Sequence, residues 1–159
     1  MEFTDIAKRL QDAFGEAILE VRAEGAGDPF IRIAPAPARD IALHLRDDQH
    51  LRFDYLMCLS GLDPGKELLA VVYHLSSMTL KHRITIRVEV PVSDPKVPSV
   101  AGVWPSANWH EREAWDMFGI VFEGHPELRR ILLAEDYPGH PLRKDFKVPE
   151  FYNGMKVPY

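Results

Sequence analysis

The chain is poor in the parts that redox, membrane-spanning and nucleic-acid-binding proteins are built from. It has one cysteine, Cys58, in 159 residues. A single thiol can neither close an internal disulfide nor supply the thiolate set of an iron–sulfur cluster. Cys58 lies in the apolar run Tyr55–Leu59 and reads as a small buried hydrophobe rather than a nucleophile. No apolar run approaches the roughly 18 residues a membrane helix needs. The N-terminus, MEFTDIAKRL, carries acids early and has no apolar core, so it is not expected to be a signal peptide. There is no basic stripe and the net charge is −5, which argues against nucleic acid. No polybasic run suggests direct binding to anionic lipid. Serine occupies no nucleophile elbow, no glycine-rich phosphate loop follows a strand, and Gly102 and Gly119 stand isolated.

What is present is an ordinary globular composition, with 46% hydrophobic and 27% charged residues in a length that suits one domain. Residues 1–50 carry 6 basic and 10 acidic side chains, whereas residues 123–159 carry 6 of each. Phe3, Ile6, Leu10 and Phe14 recur at helical spacing behind Thr4, the expected cap. Residues 17–23 and 29–34 read as strands around the turn Gly25-Ala26-Gly27-Asp28. Pro35 and Pro37 open a second helix that runs to about Asp47 with Ile41 and Leu45 one turn apart. Strands are expected over Arg52–Leu59, Glu67–Leu75 and Thr79–Val90, the first two joined by a turn at Gly61-Leu62-Asp63-Pro64-Gly65. In the last strand Ile84, Ile86, Val88 and Val90 alternate with Arg83, Thr85, Arg87 and Glu89. That pattern describes a sheet with one face under helices and the other exposed or covered by a partner. Eight of the 13 prolines lie at or after Pro95, and beyond Phe122 only a short turn near Leu128–Leu133 is expected. Leu128, Ile131, Leu132, Leu133, Tyr137, Phe146, Phe151 and Tyr152 make this tail too apolar to be freely disordered, so it reads as an extended arm lying on a neighbouring protein.

The densest chemistry runs from Asn108 to Phe146, where ionised residues crowd against aromatics. Such charge is costly to bury unless paired, and Arg with aromatics anchors interfaces. A helix is expected from an Asn108 cap, with Glu111 reaching back to it and Gly119 as a left-handed stop. Arg112 and Asp116 are spaced to pair along one face. His110, Glu113 and His125 are the only combination that suggests metal ligands, and no second spaced pair supports it. The zinc-protease helix that His110-Glu111 begins fails at Ala114. His125-Pro126 and His140-Pro141 read as turns whose rings bond local backbone. Glu111 and Glu113, flanking Arg112, read as ionised, paired carboxylates rather than an acid/base pair. Arg129-Arg130 and Arg143-Lys144 could bind phosphate or pair with Glu135, Asp136 and Asp145; bidentate pairing with acids across an interface is the preferred reading.

Glu111-Arg112-Glu113, two residues, Asp116-Met117-Phe118, six residues, His125, three residues, Arg129, one residue, Ile131-Leu132 resembles the signature of the thirty-kilodalton subunit (the C subunit) of respiratory complex I, the proton-pumping NADH:quinone oxidoreductase. Every position of the pattern is filled, and Pro98-Ser99-Val100, Trp104-Pro105, Gly124-His125-Pro126 and Pro141-Leu142-Arg143-Lys144-Asp145-Phe146 agree around it. The likeness is dense over residues 95–155 and looser before them.

The resemblance implies a two-layer α+β domain with a mixed sheet covered by helices on one face. A scaffold domain is expected over residues 1–122, and an extended Pro-rich arm over residues 123–159 docking on partner subunits. It implies a non-catalytic subunit of the enzyme, without redox centre, metal or cofactor of its own. It would scaffold the quinone-reducing module beside the larger quinone-pocket subunit (the forty-nine-kilodalton type) and the cluster-bearing peripheral-arm subunits. NADH, FMN, iron–sulfur clusters and quinone would belong to those neighbours. The expected place is the cytoplasmic face of a bacterial inner membrane, or the matrix side in an organelle, held through the complex only. Glu111, Arg112, Glu113, Asp116, Phe118, Gly119, His125, Pro126, Arg129, Arg130, Arg143, Lys144 and Asp145 are then interface and scaffold residues. The equivalent component of a membrane-bound hydrogenase or another donor:quinone oxidoreductase is the alternative, and a free-standing hydrolase using His110, Glu113 and His125 is the competitor from another class.

Overall fold

A computed structural model describes residues 1–25 and 27–157. Ala26 of the expected turn therefore lies outside the described residues, as do Pro158 and Tyr159 of the expected arm. Helix α1 (Phe3–Phe14) buries Ile6, Ala7 and Leu10, the stripe its periodicity predicts. Its cap is Glu2 rather than Thr4, because the helix begins one residue before Thr4 and no side chain bonds its first N–H groups. Strands β1 (Ile18–Arg22) and β2 (Phe30–Ile33) follow, then α2 (Ala38–Asp47), which turns Ile41 and Leu45 inward.

Strand β3 (Tyr55–Gly65) runs straight through the segment expected to turn. The reversal comes instead at Lys66 and Glu67, both at φ 59, the paired positive angles of a tight hairpin. Pro64 is tolerated because β3 is an edge strand whose register shifts between Leu62 and Gly65. Strands β4 (Leu68–Ser76) and β5 (Arg83–Pro91) complete a sheet of order β1-β2-β5-β4-β3. Only β2 and β5 run parallel, so the sheet is mixed. β5 starts at Arg83 rather than Thr79 because Ser77 and His82 close a loop, with Ser77 N–H donating to His82 O at 3.0 Å.

Ile84, Ile86, Val88 and Val90 are buried and Arg83, Thr85, Arg87 and Glu89 are not, as the alternation requires. The buried set merges with α1, α2 and the loop at Val100–Trp104 into one core. Trp104 is pinned there by its Nε1–H on Phe53 O at 2.9 Å. A parallel pair that the sequence pattern does not announce, β6 (Lys96–Pro98) and β7 (Val121–Glu123), brackets helix α3 (Ala107–Phe118). Residues 124–150 hold no helix or strand, and a small hairpin, β8 (Phe151–Tyr152) and β9 (Met155–Lys156), follows them. Among the described residues no helix is long and apolar enough to cross a membrane.

The segment after β7 is not a free arm. Much of it is bonded back to α3, and its Tyr137 ring stacks against Phe146 and leans on Tyr152. Cys58 is half-buried, its Sγ 3.3 Å from Ser60 Oγ, rather than fully enclosed.

Candidate functional site

Helix α3 starts from the turns before it, not from Asn108. Ala107 N–H reaches Trp104 O at 2.9 Å and Asn108 N–H reaches Pro105 O at 3.2 Å, so carbonyls of the preceding loop take the first donors. Ser106 holds the cap position without a side-chain bond. Gly119 ends the helix at φ 77, ψ 18, its N–H on Trp115 O, as expected of a left-handed stop.

Glu111 does not reach back to cap the helix. It is fully buried, and its carboxylate receives Ser99 Oγ–H at 2.6 Å and Val100 N–H at 2.7 Å. Burial pushes its pKa up to about 7 against those two donors. His125 Nε2 lies 3.9 Å away, both side chains being shut off from solvent. The His125 ring accepts Glu127 N–H on Nδ1 at 3.0 Å, so Nε2 carries the hydrogen and donates to Asn108 O at 3.0 Å. The ring thus clamps the start of α3 as well as its own turn. Tyr73 hangs in the same interior with a buried hydroxyl that meets no partner among the described residues. Its pKa is raised by burial and by the charge of Glu111.

Arg112 and Asp116 do not pair with each other, because each faces the following segment. Arg112 donates from Nε to Arg129 O at 3.2 Å and from Nη2 to Arg130 O at 2.8 Å. Asp116 accepts Arg130 Nη1 at 2.7 Å on one oxygen. Its other oxygen takes the successive backbone N–H groups of Ile131, Leu132 and Leu133 at 3.1, 2.8 and 3.0 Å. Burial alone would raise this carboxyl; the Leu133 N–H, the Arg130 guanidinium and the other two N–H groups outweigh it and hold the pKa below its ordinary value. Arg130 also reaches Tyr137 O and Gly139 O, and lies over the Trp115 ring at 5.7 Å. His140 Nδ1 donates to Asp116 O at 2.9 Å, and Leu142 N–H donates to Met117 O at 3.0 Å. The last carbonyls of α3 are therefore satisfied by the segment that follows it.

The remaining predicted residues divide. Glu113 and Pro126 are exposed, and Phe118 packs on Gly61 of β3. Arg129 bonds Glu127 at 2.8 Å on the surface. Arg143 grips Asp145 through Nε and Nη2 at 2.9 and 2.8 Å, and Lys144 N–H donates to Asp63 of β3 at 2.7 Å. Arg130 corrects the expectation of pairing across an interface: it is 11% exposed and its partners are all in this chain. Glu111 and Glu113 do not form a carboxylate pair, since they leave opposite sides of the helix. Among the described residues no three His, Cys, Asp or Glu side chains meet to hold a metal ion.

Ser99, Asp63 and Tyr137 are the participants that residue spacing misses, and the His140 ring bonds Asp116 O, 24 residues away, rather than the local backbone expected of it. Ser99 stood only as part of the flanking Pro98-Ser99-Val100, and nothing in the spacing links Asp63 to Lys144. The cluster is a set of braces that joins α3, the β6 loop and the segment after β7.

A family model described as respiratory-chain NADH dehydrogenase, 30 Kd subunit, matches residues 31–152. The chain belongs to this family. The C subunit of the NADH-quinone oxidoreductase of Chlorobium phaeobacteroides is 56% identical over 153 residues, covering 94% of this chain and 92% of that protein. Its counterpart from Chloroherpeton thalassium is 49% identical over 152 residues and covers 94% of this chain. The chain spans 63% of the length of that second relative.

Among solved structures, the trypsin-resistant fragment (1-134) of Nqo5 aligns with a TM-score of 0.64 and 34% identity, covering 77% of this chain and 98% of the fragment. A chain of the membrane-bound sulfane sulfur reductase, an archaeal respiratory membrane complex, aligns with a TM-score of 0.73 and 24% identity over 91% of this chain and 85% of that one. That second likeness is one of fold. The α3 braces made by Glu111, Arg112, Asp116, His125 and Arg130 all lie within the matched residues.

Proposed function

We propose that this chain is the non-redox, thirty-kilodalton-type core subunit in the peripheral arm of a proton-translocating NADH:quinone oxidoreductase. It buttresses the larger quinone-pocket subunit (the forty-nine-kilodalton type) beside the cluster-bearing subunits, and electrons from NADH pass through their FMN and iron–sulfur clusters to quinone. It contributes no reacting group, cofactor or metal, and it sits on the cytoplasmic face of the inner membrane (matrix side in an organelle) through the complex.

One observation carries the reading. The polar signature of α3 is turned inward and satisfied within the chain, while Trp109, Leu132 and Leu142 stand 70, 61 and 55% exposed on α3 and the segment braced to it. Large apolar side chains held outward on a rigid support fit a docking surface better than a lone soluble enzyme. In this reading residues 1–122 are the scaffold and residues 123–159 dock on partners, with Val148, Phe151 and Met155 as further exposed contacts. The relatives, C subunits of NADH-quinone oxidoreductases, favour NADH as the donor over a hydrogenase or another donor complex.

The test is purification of a tagged copy from native membranes. Co-purified quinone-pocket and cluster-bearing subunits with NADH-driven quinone reduction are expected. A solitary chain, or one that turns over a substrate unaided, overturns the proposal.

A further inference from the structure

Among the described residues no helix or strand covers the face of the five-stranded sheet opposite α1 and α2. It is not an inert solvated face. Phe30, at the start of β2, lies on it with the guanidinium groups of Arg22 and Arg87 at 4.8 and 5.7 Å from the ring. Arg32 bonds Glu20 at 3.0 Å and approaches Glu89 at 3.6 Å, while Arg87 meets Glu89 at 2.8 Å. These pairs tie the long side chains to neighbours on the same face. Arg87 Nε is buried yet has no partner among the described residues, and the same holds for His74 Nδ1 one strand away.

Charge decides what such a face takes. Arg22, Arg32, Arg83 and Arg87 outnumber Glu20, Glu89 and Asp28, which borders Arg83 and Thr85, so the face is cationic on a chain whose net charge is −5. Ordered arginines around an aromatic ring are the residue type that anchors protein interfaces, and they pair bidentately with carboxylates. We infer that this open sheet face is a second protein-docking surface that receives an acidic segment of another subunit, distinct from the surface built on α3. The inference rests on the proposed membership of an assembly of several different subunits.

Two tagged variants test it, Arg22→Glu and the double change Arg22→Glu with Arg87→Glu, each beside the tagged wild type purified from native membranes. The single change alters one half-exposed side chain, and thermal melting of the isolated subunit reports whether either variant folds as the wild type does. The folded variants are expected to retain the quinone-pocket subunit and to lose at least about tenfold of one other co-purified subunit. A photo-reactive residue placed at Thr85 in the otherwise native complex is expected to cross-link to an acidic stretch of that same subunit. If the wild type assembles and both folded variants assemble with unchanged composition, the inference is overturned. A cross-link to a second copy of this chain, to a non-acidic surface or to nothing also overturns it. If the wild type itself brings down no other subunit, the failure belongs to the proposed function instead.

Discussion

Asp116 and Arg130 meet at 2.7 Å, and the same aspartate holds three successive backbone N–H groups of residues 131–133. A helix residue and a chain segment 14 to 17 positions later are thereby one rigid body. The segment needs no partner to acquire its path, because α3 dictates it.

Asp116→Asn leaves Arg130 without its counter-ion and turns an amide toward donors. Breaking a buried pair costs about 3–5 kcal/mol, and this one is braced further by backbone N–H groups. The depressed pKa means the contribution is complete above the ordinary carboxylate range and drains away as pH falls through the folded value. Urea unfolding at neutral pH should show a loss of about 3 kcal/mol, with faster trypsin cleavage after residue 129.

The neighbouring arginines should behave oppositely. Arg130→Ala removes a side chain with partners on Asp116, Tyr137 and Gly139, and is expected to cost about 3 kcal/mol. Arg129 is 54% exposed on a surface pair, so Arg129→Ala should change the unfolding free energy by less than about 0.5 kcal/mol. Similar losses for both would refute the division.

Glu111 has the reverse sign of pH dependence from Asp116. Its folded pKa of about 7 lies above the ordinary value of 4.5, so between those limits the folded state binds the extra proton. Its contribution is therefore fully present below the unfolded pKa and is lost as pH rises to about 7, amounting to about 3 kcal/mol. Glu111→Gln keeps an acceptor for Val100 N–H without ever ionising. The variant should gain on the wild type by about that amount between pH 5 and pH 8 in denaturant titrations.

Gly61 lies where β3 meets α3. A Cβ there would stand 2.6 Å from Phe118 Cδ2 and 3.3 Å from Ala114 Cβ. Gly61→Val should cost about 1–3 kcal/mol by overpacking. Combining it with Phe118→Leu should recover part of that loss in thermal melts; additive losses would show that the two sites are not in contact.

Trp109→Ala removes a large exposed surface and nothing from the core. The isolated chain should melt within about 2 °C of the wild type, whereas recovery of the assembled complex should fall several-fold. A large drop in melting temperature with normal assembly would place Trp109 in the fold instead.

The elements readable from the amino-acid order are those whose cause is local. The apolar stripe of α1 and the strict alternation of β5 depend on residues two to four positions apart, so their buried faces follow directly from periodicity. Gly119 could be placed as a helix stop for the same reason. The turn assigned to Gly61–Gly65 failed because Gly and Pro mark reversals only on average. Here Gly61 serves close packing against Phe118, and Pro64 sits on an edge strand at a register shift. The roles of Glu111, Arg112 and Asp116 belonged to the folded chain. Their partners lie 11 to 18 residues away, across a loop and a reversal of direction. Residue types alone announced that charge was concentrated around α3. Which charge went inward, which met which, and which aromatic was left outside was decided when β6 and β7 paired and carried the helix against the sheet. Hydrogen bonding requires coincidence in space, and spacing along a chain does not specify that coincidence.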